Sequence, residues 1–254
     1  MRNVMRRLFL VVAAALAAAT LTLSPVRAAT VVETPVAAYT LLGTLIDATG
    51  NYHPMQLLGN PAPPGPPSAV DGLHLSGDYF YNPNGQDAFT DYLRTLDTTS
   101  FGMRLEFRTS DPTRLQPVLM GGYSYRFLGI YLDSVGDLGI KYNNSNFAFS
   151  SQQVSSDAWH AADLRYRNGT FELYLDDRQV LAGAVGPLNA SFDRTFAFND
   201  YSFGLAFGGD VRNVAIYNLT AVPEPGTAAL WLAGLGFAAM RQRRKNLMAA
   251  PASA

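Results

Sequence analysis

The sequence predicts an all-β fold, a two-sheet antiparallel β-sandwich held between two short terminal segments that lie outside it. Three observations carry this expectation. Apolar residues recur at every second position through the middle of the chain, the period of a strand with one buried face. Turn-forming residues interrupt these runs at short intervals. Between the terminal segments, no stretch of useful length shows the 3.6-residue period of a helix, and no internal repeat is found.

The elements follow in chain order. Arg2, Arg6 and Arg7 form a positive n-region, Leu8 to Leu23 an apolar stretch, and Val26-Arg27-Ala28 a small-residue cleavage site. Residues 1–28 therefore predict a secretory signal peptide, absent from the folded domain. Arg6-Arg7 partly matches a twin-arginine signal, but Met5 and Val11 flank it wrongly, which favours the general secretory route. The run Pro61 to Pro67 predicts a loop inside the domain, since strand-like sequence continues on both sides. Phe101, Met103, Leu105 and Phe107 alternate with Gly102, Arg104, Glu106 and Arg108, predicting a strand with one apolar and one wet face. Phe127–Leu132 and Leu138–Tyr142 predict two more strands, joined around 133–137. Ala161–Asp176 predicts a hairpin centred on Asn168-Gly169, because Asn-Gly suits the positive φ angles of a two-residue type I′ turn. That turn sets the register: Tyr166 opposite Phe171, Leu164 opposite Leu173 and Ala162 opposite Leu175 on one face, with Arg165 meeting Glu172 as an ion pair on the other. A last strand is expected through Val211, Val214 and Ile216.

The C-terminal end has a different grammar. Val222-Pro223-Glu224-Pro225-Gly226 is followed by the apolar run Thr227 to Met240 and then by Arg241, Gln242, Arg243, Arg244 and Lys245. The prolines keep the first part extended and open to a processing enzyme. As a helix, the apolar run would reach about 21 Å, short of roughly 30 Å of hydrocarbon, and the basic cluster would stay cytoplasmic. A transient inner-membrane anchor is expected, with residues 246–254 as a tail.

Setting both ends aside changes the charge. Of 19 basic and 20 acidic residues in the chain, eight bases leave with residues 1–28 and 241–245, so the stretch between them carries 11 bases against 20 acids, net −9. Such a body argues against nucleic acid and anionic lipid as partners. There is no cysteine, hence no disulfide, no thiolate chemistry and no cysteine-ligated zinc. About 190 residues remain, enough for one domain with a real core.

The order at the C-terminus resembles the PEP-CTERM sorting signal of Gram-negative bacteria, in residues Val222, Pro223, Glu224, Pro225, Arg241, Arg243, Arg244 and Lys245. The resemblance implies an exosortase as partner and a destination at the cell surface, outer membrane or extracellular matrix. The body, residues 36–220, resembles the laminin G-like (LamG-like) domains of the concanavalin A-like superfamily in three blocks. Asp47-Ala48-Thr49-Gly50-Asn51 looks like the opening turn, Trp159-His160 through Leu173-Tyr174-Leu175-Asp176 like the central block, and Phe207-Gly208-Gly209-Asp210 through Ile216-Tyr217-Asn218 like the closing strand. Asp177 stands where the family pattern has a turn glycine. The resemblance implies a jelly roll of about a dozen short strands.

Candidate chemistry is sparse. Glycosidases on this fold use paired carboxylates on one strand. Glu33, Glu106, Glu172 and Glu224 are the only glutamates, and none has a second acid two or four positions away on the same strand face. Glu106 and Glu172 are expected as solvated sheet-face charges, His160 as a packed or edge histidine, and His53 and His74 lack partners at metal spacing. No enzyme activity is expected. The resemblance implies one possible structural calcium, with Asp47 and Asp210 as ligands; as turn formers the same aspartates need no ion. Tyr79, Phe80, Tyr81, Tyr123 and Tyr125 are candidates for stacking on sugar rings. The expected function is a non-catalytic carbohydrate-binding module of a surface or exopolysaccharide-matrix protein. The alternatives are a structural or protein-interaction matrix component without a small ligand, and a polysaccharide hydrolase or lyase.

Overall fold

A computed structural model describes residues 30–59, 63–77, 86–122, 128–143, 146–188, 192, 194–200 and 203–222. The signal peptide, the sorting segment from Pro223 onward, the tail and the candidate aromatics Tyr79, Phe80, Tyr81, Tyr123 and Tyr125 lie outside these residues. One compact unit spans Val32–Thr220.

Every regular element among the described residues is a strand: β1 (Thr30–Tyr39), β2 (Gln56–Gly59), β3 (Leu73–Ser76), β4 (Gln86–Phe89), β5 (Ser100–Arg108), β6 (Gln116–Gly121), β7 (Leu128–Leu132) and β8 (Asp137–Tyr142). The chain continues through β9 (Asn146–Gln153), β10 (His160–Arg167), β11 (Thr170–Leu175), β12 (Arg178–Ala184), β13 (Phe196–Ala197), β14 (Asn199–Asp200), β15 (Leu205–Ala206) and β16 (Gly208–Val222). The first sheet has the order β1-β16-β5-β10-β11-β12, with β3 also paired to β16. The second has the order β2-β4-β13-β6-β7-β8-β9, and β14-β15 form a separate two-stranded ribbon. Phe101, Met103, Leu105 and Phe107 of the first sheet share one buried cluster with Leu128, Ile130, Leu132, Leu138 and Ile140 of the second. This is the two-sheet sandwich that the alternation predicts.

The hairpin forms as expected, with Tyr166 opposite Phe171, Leu164 opposite Leu173 and Ala162 opposite Leu175. Asn168 and Gly169 have φ of 46° and 88°, both in the left-handed region that a type I′ turn needs. Asp176 and Asp177 repeat the device at the next corner, with φ of 49° and 63°. Aspartate tolerates this conformation, so the missing glycine at 177 leaves a two-residue turn in place.

One pairing is corrected. Arg165 sits opposite Glu172 in register, but no ion pair joins them. The Arg165 guanidinium goes to Glu33 at 2.9 Å and Asp163 at 3.0 Å, and lies over the Tyr174 ring at 4.9 Å. Glu172 accepts instead from the Tyr174 hydroxyl at 3.0 Å. Two carboxylates on a neighbouring part of the sheet outbid one across the ladder.

The last strand explains its odd spacing. Val211, Val214 and Ile216 are all buried although the first two are three residues apart. A register shift between Arg212 and Ala215, with Asn213 at φ 51°, marks a β-bulge that returns the apolar set to the core face.

Candidate functional site

Three adjacent strands place a row of polar side chains across the outer face of the first sheet. β16 sets Asp210 opposite His74 of β3 and opposite Arg108 of β5. Residues directly opposite share a face, and in β3 it is Leu73 and Leu75 that are buried while His74 is exposed. The row therefore points away from the core. One Asp210 oxygen accepts from Arg108 Nε at 3.1 Å and Nη2 at 2.7 Å, and the other lies 2.9 Å from His74 Nδ1. Arg108 Nη2 also donates to Asp71 at 3.1 Å. The hydrogen bond and charge of Asp210, with Asp71 beside them, push the Arg108 pKa above its ordinary value.

Asp71, His74, Arg108 and Asp210, with Gly65, Pro66, Ser68 and Gly72, line an open groove of about 480 Å³. Gly72 lets the loop approach β16: at its φ of 80°, a Cβ would lie 2.3 Å from the Val211 carbonyl oxygen. Trp159, half-buried, adjoins the groove through Arg108. The guanidinium carbons of Arg108 and Arg212 lie 5.0 Å and 3.9 Å from its ring centroid, within cation–π range. Glu106 fixes Arg212 at 2.7 Å and accepts from Asn213 Nδ2 at 2.8 Å. Burial alone would raise the Glu106 pKa, but the bonds from Asn213 and Arg212 hold it below its ordinary value. That is the opposite of the raised pKa that suits a carboxyl as general acid.

Farther along the same face, Asp163 gathers Arg104 at 2.9 Å, Arg165 at 3.0 Å and the Tyr217 hydroxyl in a short bond, and Glu33 caps both arginines. Burial and the neighbouring Asp163 push the Tyr217 pKa up, so the phenol stays protonated.

The structure does not bring the expected calcium ligands into one oxygen-lined site. Asp47 is the hub of its own turn. Its Oδ1 accepts from the N–H of Ala38 at 2.8 Å and Thr49 at 3.1 Å; its Oδ2 accepts from the N–H of Asn51 and Tyr52, each at 3.1 Å, and from the Thr49 hydroxyl. These partners are donors, whereas calcium needs oxygens presenting lone pairs. Asp210 is engaged by Arg108 and His74. Among the described residues no group of three or more His, Cys, Asp or Glu is placed to hold a metal. The residues present do not fit the ion.

Of the histidines, His53 lies 3.2 Å from Asp91 with its side chain 83% exposed, His74 belongs to the groove, and His160 is packed, with its side chain 12% exposed. Val222, the first residue of the sorting segment, ends β16 and is exposed. No helix among the described residues is long and apolar enough to cross a membrane; the run 227–240 lies outside them.

Solved structures share this architecture at low identity. Domain 4 of AbnA, a GH43 extracellular arabinanase from Geobacillus stearothermophilus solved in complex with arabinotriose, is 17% identical over 75% of this chain and 95% of its own, with a TM-score of 0.51. The botulinum neurotoxin serotype D binding domain is 12% identical, over 73% of this chain and 48% of its own, with a TM-score of 0.51. Trypanosoma rangeli sialidase is 14% identical, over 73% and 31%, with a TM-score of 0.51. The chain thus spans about half the length of the toxin chain and about a third of the sialidase. No curated protein matches it by sequence. The likeness shows the fold alone, a jelly-roll β-sandwich. The C-terminal end narrows this, because residues 221–245 match the PEP-CTERM protein-sorting motif. That motif is the sorting signal recognised by exosortase, which indicates targeting for export and supports an exosortase as partner.

Proposed function

We propose that the exported domain carries a carbohydrate-binding site, non-catalytic at that groove, at the cell surface or in an exopolysaccharide matrix, the export signal having delivered it there. The groove on the outer face of the first sheet carries this reading. A sugar ring offers an apolar C–H face and a rim of hydroxyls. Asp71 and Asp210 can accept from hydroxyls and Arg108 and His74 can donate to them, while Trp159 packs on Arg108 beside the groove and holds it in place. A few fixed polar groups in a concavity are what set orientation in a binding site. Here Arg108 is clamped by two carboxylates, and Trp159 rests on two guanidinium groups, so little side-chain freedom remains to be lost on binding. The net −9 body favours neutral glycans over polyanions. The arabinanase domain, seen with arabinotriose, supports the idea that this architecture can carry a sugar site.

The test is a glycan array probed with the purified full chain, followed by calorimetric titration of the best neutral oligosaccharide. Trp159→Ala is expected to weaken binding roughly 30-fold, the scale of an aromatic hot spot. Binding to no sugar would overturn the reading and leave a structural or protein-interaction component of the matrix.

A further inference from the structure

A second constellation shares no lining residue with the groove. Ser155 lies in the loop between β9 and β10, His160 opens β10, and Asp176 begins the turn after β11. His160 Nδ1 is 2.8 Å from Asp176 Oδ2, and His160 Nε2 is 2.8 Å from Ser155 Oγ. The tautomer follows from a third contact: the Ser155 backbone N–H lies 3.2 Å from the same Nε2. A backbone N–H can only donate, so Nε2 is the unprotonated nitrogen, and Nδ1 carries the proton toward Asp176. The Ser155 hydroxyl then donates to Nε2 as well. Asp176 is held in turn, its Oδ1 accepting the Ala161 N–H at 2.8 Å and its own N–H bonding the Ala161 carbonyl at 2.8 Å. The imidazole is packed near the Phe107 ring, 6.1 Å between centroids, whereas Ser155 is exposed. Nucleophile, base and orienting carboxylate thus stand in sequence within hydrogen-bond reach, the signature of an activated serine.

Beside Asp176 a small cleft of about 100 Å³ runs between the end of β9 and the start of β12. Leu175 and Val180 supply apolar lining, and Gln152 and Arg178 supply N–H donors. At about 100 Å³ the cleft is suited to no more than a short acyl group.

We propose that Ser155 is a nucleophile that cleaves short-chain acyl esters, with His160 as its general base and Asp176 as a positioning residue. Ser155 Oγ bonds the ester carbonyl carbon as its proton passes to His160 Nε2. The carbon–alkoxy bond then breaks and the imidazolium returns the proton to the departing alcohol. Water, deprotonated by the same Nε2, bonds the acyl carbon; the Oγ–acyl bond breaks, the imidazolium returns the proton to Ser155 Oγ, and the carboxylic acid leaves. This activity does not depend on whether the groove binds a sugar.

The experiment treats the full chain with a fluorophosphonate probe, which bonds an activated serine and releases fluoride, and separately measures 4-nitrophenyl acetate turnover. Labelling is expected at Ser155 alone and is lost in Ser155→Ala, which removes one hydroxyl from an exposed residue and leaves the fold intact. Asp176→Asn is expected to lower kcat roughly 100-fold, the scale of base catalysis, with KM little changed. A wild-type chain that is not labelled, or Ser155→Ala labelled equally, would overturn the proposal and reduce the trio to a brace for the β9–β10 loop.

Discussion

Replacing Asp47 by Asn tests whether its carboxylate is a hydrogen-bond hub. Asp47 is 2% exposed, and its two oxygens divide four backbone N–H groups between them. An asparagine keeps one acceptor oxygen and turns the other into a donor. Either rotamer therefore leaves two N–H groups facing an NH₂. A buried donor without a partner costs about 1–3 kcal/mol, so the variant should lose about 2–4 kcal/mol after relaxation, a large part of a typical domain's stability. Urea unfolding at pH 7 measures this as a lower midpoint with an unchanged slope. The pH dependence has a definite sign. Burial would raise the Asp47 pKa, but the bonds from Ala38, Thr49 and Tyr52 outweigh it and hold the folded-state value below 3.8. A depressed pKa contributes stability that is present above the unfolded value, near 4, and is lost as pH falls through the lower folded value. Wild type should thus lose this contribution below about pH 4, and Asp47→Asn should not. Calcium is the counter-test. An ion held at a hundred times its Kd adds about 2.7 kcal/mol. A calcium-dependent rise of that size in wild type but not in the variant would refute the hydrogen-bond account, as would a variant within about 0.5 kcal/mol of wild type.

Four further outcomes are expected. In Gly102→Ala the new Cβ would fall 2.3 Å from the Tyr217 ring, so overpacking should cost about 1–3 kcal/mol by urea titration. Lys141→Met removes the cation paired with the fully buried Asp200 carboxylate, which also accepts from the Tyr131 hydroxyl, and the thermal melt should report a loss of about 3–5 kcal/mol. Asp163→Asn should cost about 1–3 kcal/mol because Asp163 gathers two arginines and a tyrosine, while Glu172→Gln should stay within about 0.5 kcal/mol; equal effects would restore the Arg165–Glu172 pair. Alanine at Pro223, Glu224 and Pro225 together should leave an unprocessed precursor, read by intact mass of the membrane fraction.

Much of the fold was legible because its signals are local. The alternation from Phe101 to Phe107 and the Asn168-Gly169 turn each sit within a few residues, and both formed as read. The sorting segment was legible for the same reason, its order of proline, apolar and basic residues being itself the message. Side-chain partners were another matter. Lys141 reads as an ordinary outward residue of a strand, yet it is buried, because β14–β15 carries Asp200 and Phe203 over that face, the Phe203 ring 4.4 Å from Nζ. His160 was expected as packed, which it is, but Ser155 and Asp176 gave no sign of meeting it. The only local cue is that Asp176 ends a strand paired with the one His160 begins.

By itself the sequence determined a cysteine-free β-sandwich with an acidic body followed by a sorting signal, and it predicts an export signal ahead of them, because period, turn chemistry and charge are properties of neighbours along the chain. Only the tertiary structure decided which charges meet. Arg108 reaches Asp210 across 102 positions and Arg212 reaches Glu106 across 106. Strand order in a sheet sets such pairings, and strand order is fixed by how two apolar faces close on each other. Asp47 shows the same division: its place in a turn was readable, but only the fold showed that N–H donors fill both of its oxygens.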